Sequence, residues 1–170
     1  MKQHKGMRPH DIVILLKIAA LKNKSWLAKD LAQSLNISAS EVSESLNRSK
    51  LAGLLSGDKK RLMKANLLEF LEHGLRYVYP AEIGAIQRGM PTAHSAPPLN
   101  DYIFEDEFYV WPWAEGEERG QTIEPLHPGV PDACAKDPLL YQFLALTDTL
   151  RLGRVRERER AMKILHQHIL

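Results

Sequence analysis

Between Leu27 and Arg48 the chain reads LAKDLAQSLNISASEVSESLNR, and its apolar spacing leaves little choice of fold. Leu27, Leu31 and Leu35 keep the four-residue stride of one helical face. Asn36 interrupts it, because asparagine is among the few residues other than glycine that tolerate the left-handed backbone conformation. Ser38 then opens a second run in which Val42 and Leu46 return at helical spacing, with Gly53 placed to stop it. Two short helices joined by a tight turn are therefore predicted, with Ser25 as the cap of the first.

Upstream, Pro9 and Asp11 suit a helix start, and the run from Ile12 to Leu21 supplies its body. The basic start MKQHKGMR followed by IVILL resembles a secretory signal. However, Asp11 stands at its entrance, Lys17 interrupts it, and the segment runs directly into the next amphipathic pattern. A first core helix is the expectation. Downstream, LLSGDKKRLM predicts two short strands around a glycine-first turn at Gly57-Asp58, with Lys59, Lys60 and Arg61 at the tip. The alternative there is a helix capped by Asp58. A helix carrying Leu67, Leu68 and Leu71 and ending at Gly74 follows.

The segment from Tyr77 to Pro131 holds eight of the ten prolines, so short strands such as RYVYP and EFYVW joined by loops are expected in place of long helices. Its aromatic residues, among them Trp111, Trp113, Tyr77, Tyr79, Phe108 and Tyr109, are expected to form a core. Asp137-Pro138 caps a helix to about Arg151, Gly153 interrupts, and RVRERERAMKIL makes the last helix. That helix carries a basic stripe, Arg154 and Arg158 in line with Arg151, and an apolar one at Val155, Met162, Leu165 and Ile169. The fold class is α+β and α-rich. Three regions are expected: 1–75, a DNA-binding unit; 76–136, short strands and loops; and 137–170, helices suited to dimerisation.

The segment LAKDLAQSLNISASEVSESLNR resembles the helix-turn-helix of bacterial repressors and of winged-helix regulators such as the MarR-like group. The features carrying the resemblance are Ala32, the Asn36-Ile37 turn, Val42 and Ser43, with Asn36 in place of the usual glycine. It covers roughly residues 10–64 and implies an amino-terminal winged helix-turn-helix. The resemblance further implies binding of double-stranded DNA, regulation of transcription and assembly as a homodimer through terminal helices.

Charge patterning agrees with such a unit: residues 1–64 hold 13 Lys+Arg against 5 Asp+Glu, whereas residues 65–170 hold 10 against 16. On the third helix Ser38, Ala39, Ser40, Ser43, Glu44 and Asn47 face outward. Serines suit phosphate or either base type, Asn47 suits adenine, and Glu44 can accept from a cytosine amino group. Positive charge would come from Lys22, Lys24, Lys29, Arg48, Lys50, Lys59, Lys60 and Arg61. Glu41 is assigned to a capping box with Ser38, each side chain bonded to the other's amide.

Other chemistry finds little support in the sequence. His94 beside Ser95 lacks the separately oriented base and acid of a nucleophilic site, and no GxSxG, HExxH or phosphate-binding glycine loop is present. No enzymatic activity is expected. The scattered His94, His127, Cys134, His166 and His168 lack paired metal-ligand spacing, so neither metal nor cofactor is expected. A single cysteine suits a reducing compartment, and no apolar run reaches the ~20 residues needed to span a bilayer. A cytoplasmic location without membrane contact is the expectation. The rival function is a protein-binding adaptor or antitoxin-like partner that uses the winged helix as a scaffold, with the acidic second half as a further protein-contact surface.

Overall fold

The computed structural model describes residues 5–170, so the first part of the basic start, residues 1–4, lies outside the described residues. The chain forms eight helices and a small three-stranded sheet among the described residues. Helix α1, Pro9–Ala20, buries Ile12, Val13, Ile14, Leu15 and Leu16 together, and a helix apolar on every side belongs at the centre of a fold. No helix is long and apolar enough to cross a membrane among the described residues.

Helix α2, Ala28–Leu35, buries Leu31 and Leu35. Its start differs from expectation: Leu27, not a residue capped by Ser25, is the N-cap, and the Asp30 carboxylate accepts from the Leu27 amide at 3.0 Å. Leu27 thus stands outside the helix and is 60% exposed, although it shares the leucine stride. Asn36 is left-handed as expected, with φ of 54°. Helix α3, Ala39–Leu51, follows, its Ser38 hydroxyl accepting from the Glu41 amide at 3.2 Å. Val42 and Leu46 face the core, and Gly53 ends the segment with φ of 80°.

Residues 54–63 form a minimal hairpin rather than a helix, with Leu55 bridged to Leu62. The turn is not the glycine-first kind. The Lys59 amide bonds the Ser56 carbonyl at 2.8 Å, and Lys59, not Gly57, takes positive φ, at 60°. Four residues, 57–60, connect Ser56 to Arg61, whose carbonyl accepts from the Ser56 amide at 2.8 Å. Asp58 fixes the turn by accepting from the Ser56 hydroxyl at 2.5 Å and the Lys60 amide at 3.1 Å.

Helix α4, Lys64–His73, buries Leu67, Leu68 and Leu71. A short helix α5, Leu75–Val78, occupies what the composition of RYVYP suggested as a strand. Gly74 keeps helical dihedrals and Leu75 is fully buried, so packing of one leucine overrides the strand preference of Tyr77 and Val78. Tyr77 is 76% exposed and does not join a core, unlike Trp111 and Tyr109.

Strand β1, Ile83–Pro91, pairs antiparallel with both β2, Tyr109–Pro112, and β3, Glu118–Ile123. Strands β2 and β3 pair parallel, closing the three into a ring. The closure needs glycine at Gly89, where an added Cβ would fall 1.9 Å from the Trp111 carbonyl oxygen. Between β1 and β2 lie two 3-10 turns, Ala93–Ser95 and Leu99–Asp101.

Helices α6, Val130–Lys136, α7, Pro138–Leu152, and α8, Val155–Ile169, complete the chain. Asp137 caps α7 by accepting from the Leu140 amide at 3.1 Å. Every residue from Phe143 to Leu150 is buried, and α7 packs between α1 and α8. The apolar stripe of α8 is consumed within the chain: Met162, Leu165 and Ile169 are buried, α8 packs on α7 and α4, and Val155 stays 57% exposed. One apolar cluster runs from Ile12 to Ile169, crossing the boundaries expected near residues 75 and 136.

Sheet and helices meet at a buried carboxylate. Asp148 of α7, 2% exposed, accepts from the Thr92 hydroxyl at 2.7 Å, the Trp111 indole at 2.6 Å and the Arg151 guanidinium at 2.8 Å. Burial pushes its carboxyl upward against the pull of Arg151 and the two neutral donors. Arg151 also donates to the Tyr79 carbonyl at 2.8 Å, so it is an internal tie and not part of an exposed basic stripe.

Candidate nucleic-acid interface

The exposed surface of α3 and the adjoining hairpin hold most of the predicted site residues. Ser38, Ser40, Ser43, Glu44, Asn47 and Lys50 are all exposed. Ser38 is partly committed to its capping bond, and its hydroxyl lies 3.3 Å from that of Ser40. The hairpin tip is tied to this surface by a side-chain bond: Lys59 Nζ donates to the Asn47 side-chain oxygen at 2.9 Å. The left-handed turn residue is therefore half-buried and spans from hairpin to helix, while Lys60 and Arg61 remain exposed.

Arg48 does not belong to the exposed set. Its guanidinium turns inward and grips the fully buried Asp11 with two bonds, 2.9 Å from Nε and 2.7 Å from Nη2. Nη2 also donates to Glu41 Oε1 at 2.7 Å, and His10 Nε2 lies 2.6 Å from the same oxygen. A guanidinium matches a carboxylate fork, and these partners hold it against solvent. The network explains why Glu41 does not return to the Ser38 amide, the second half of the expected capping box. Its carboxyl is held below the usual range first by the Arg48 bond, then by His10, with partial burial opposing. Asp11 in addition caps α1, accepting from the Arg8 amide at 2.8 Å.

Lys22 is also diverted: its ammonium donates to the His168 carbonyl and sits 5.9 Å over the Phe143 ring. The cations left are Lys24, Lys29, Lys50, Lys60 and Arg61, all exposed and in no ion pair among the described residues. Sequence reasoning had no signal for the Lys59 to Asn47 tie, since the two residues lie on separate elements. The Arg48 network had one: Glu41 and Arg48 are seven residues apart, two helical turns, on one face.

In the second half, His94 Nε2 lies 2.8 Å from the Glu107 carbonyl oxygen, and the Ser95 hydroxyl accepts from the Tyr109 amide at 3.0 Å. Neither residue is hydrogen-bonded to Asp148. The acidic cluster near Glu105 and Glu107 faces Arg154, each at 3.8 Å. Comparison with protein-family models, curated proteins and solved structures found no match to this chain.

Proposed function

We propose that residues 9–75 act as a winged helix-turn-helix that binds double-stranded DNA, with α3 as the reading helix, and that the protein regulates transcription. The observation carrying this reading is the Lys59 to Asn47 bond. It sets a hairpin bearing Lys60 and Arg61 beside an exposed helix face of serines, Glu44 and the rest of Asn47. Phosphates would be held by Lys50, Lys60 and Arg61, with Lys24 and Lys29 flanking, while Ser40, Ser43, Glu44 and Asn47 meet base edges. Arg48 orients α3 against α1 instead of touching DNA. Serving neither catalysis nor a cofactor, the second half stiffens this unit through the core that α1 shares with α7.

The test is fluorescence-anisotropy binding to random-sequence duplex DNA across a salt series. Replacing Lys60 and Arg61 together should weaken binding and reduce the slope of log affinity against log salt by about 1.8, at ~0.9 per phosphate contact. An unchanged slope would remove the hairpin from the interface. One observation favours a second reading. With Arg48 turned inward, the exposed face of α3 carries no free arginine, which suits a protein-binding adaptor. Absence of duplex binding even at low salt would select that reading. The apolar stripe expected to make a homodimer is occupied by α7 and α4, so a dimer under either reading would need another surface.

A further inference from the structure

We infer that the pocket between the 3-10 turn at Leu99–Asp101 and the start of α8 is a binding site for a mononucleotide, a ring-bearing phosphate. The cavity measures about 770 Å³, and its walls include Tyr102, Phe104, Glu105, Arg154, Arg156 and Arg160. Three arginines on one wall are an anion-binding composition, and two of them are unspent. Arg156 and Arg160 form no ion pair among the described residues, and the Arg160 Nε is enclosed without any acceptor. The cavity lining therefore holds guanidinium charge that no carboxylate pairs, and a bound oxyanion would offset it. Arg160 is aimed by the Tyr102 ring, on which its guanidinium stacks at 4.3 Å. The first turn of α8 lines the same cavity; Glu157 takes the Arg154 amide, and the amides of Val155 and Arg156 lack an intrahelical carbonyl, which adds to the preference for phosphate.

The ring half of the ligand follows from the aromatic part of the same lining. Phe104 is 87% exposed and Tyr102 59% exposed, at the mouth of a concave site where planar apolar surface invites stacking. A simple inorganic anion would leave the Phe104 ring uncovered. Glu105, 3.8 Å from Arg154, supplies an acceptor suited to a ribose hydroxyl or an exocyclic amine. Glu157 also lines the cavity, its carboxylate mostly buried at the start of α8, where it accepts from the Arg154 amide at 3.0 Å. This inference is independent of DNA binding.

The test is isothermal titration of the full chain with AMP, GMP, CMP and UMP, with the matching nucleosides and inorganic phosphate titrated in parallel. At least one monophosphate should bind at least tenfold more tightly than both its nucleoside and free phosphate. The exposed Arg156→Gln and Phe104→Ala variants should each weaken it about tenfold without changing the melting temperature. Arg160→Gln should abolish it. The inference is overturned if no monophosphate binds at millimolar concentration, if nucleoside or phosphate alone binds as well, or if Arg156→Gln leaves the affinity unchanged.

Discussion

Replacing Arg48 separates an internal role from a DNA-contacting one. In Arg48→Met the side chain keeps most of its apolar stem, but Asp11, 0% exposed, loses both guanidinium bonds and keeps the Arg8 amide at 2.8 Å with His10 Nε2 at 3.8 Å. Breaking a buried pair by removing one partner costs about 3–5 kcal/mol, because the remaining carboxylate is desolvated without compensation. For a chain of this size each kcal/mol moves the melting temperature by about 2–4 °C, so a fall of ~10 °C is expected. Asp11→Asn should cost less, and the Arg48→Met/Asp11→Asn double variant should lose less than the sum, with a coupling of about 2 kcal/mol. Arg48→Lys should not restore the wild type, since an ammonium cannot grip both carboxylate oxygens in the fork geometry. The assay is urea unfolding followed by tryptophan fluorescence, combined with the duplex titration at a temperature where every variant is folded. The salt slope should match wild type. A stability loss of Arg48→Met under about 1 kcal/mol, or a coupling near zero, would refute the internal role; a reduced salt slope would return Arg48 to the DNA surface.

Two further outcomes follow from the second half. Trp111→Phe keeps a buried ring but deletes the 2.6 Å indole bond to Asp148, and a lost hydrogen bond to a charged group should lower stability by about 1.5–3 kcal/mol, read as a shift in the urea midpoint. An unshifted midpoint would mean that Thr92 and Arg151 suffice for Asp148. Burial, and secondarily His10 at 5.9 Å between ring centroids, pushes the His127 imidazole below its ordinary value of 6.5. With the folded value depressed, the unfolded chain takes up the proton first, so stability should fall as pH drops below about 6.5. Asparagine can still accept from the Gly129 amide, which His127 Nδ1 does at 3.0 Å, so His127→Asn should flatten that decline. Equal pH profiles for the two proteins would show that another group carries it.

The parts of the fold legible in the sequence were those fixed within a few residues. Asn36, Ser38 and Gly53 each act on their own backbone, and all three stand in the roles their chemistry suggests. The α7 cap at Asp137 is the same kind of signal. Leu27 shows the limit of periodicity: it keeps the stride, yet Asp30 bonds its amide and places it before the helix, so it points to solvent. Of the ring of strands, β2 was legible in EFYVW, whereas β1 was not, for a physical reason. The residues from Glu82 to Arg88 are all exposed, so β1 lacks the apolar alternation that marks a strand, and its pairing depends on tight approaches at Gly89 and Gly120. In the candidate interface, exposure of the serines followed from helical phase, but the fate of each cation did not. Lys22, Arg48 and Lys59 lie in a basic segment and were given one role together. Their actual partners are a carbonyl on α8, a carboxylate on α1 and an amide on α3.

Those partners alter what the net charge of the first 64 residues means. A basic segment attracts a polyanion only with charge that is free to release counterions, and here part of the excess is spent in holding helices together. Arg48 joins α3 to α1 at Asp11, α1 packs on α7, and α7 carries Asp148 to the sheet. The orientation of the proposed reading helix is thereby tied to both halves of the chain through two buried carboxylates. On the proposed reading, affinity would be left to Lys24, Lys29, Lys50, Lys60 and Arg61, and selectivity to an α3 face with no free arginine. Such a surface would discriminate through weak serine and asparagine contacts held in a fixed frame. Rigidity of that frame, more than charge, is then what a change in Arg48 or Asp148 would disturb.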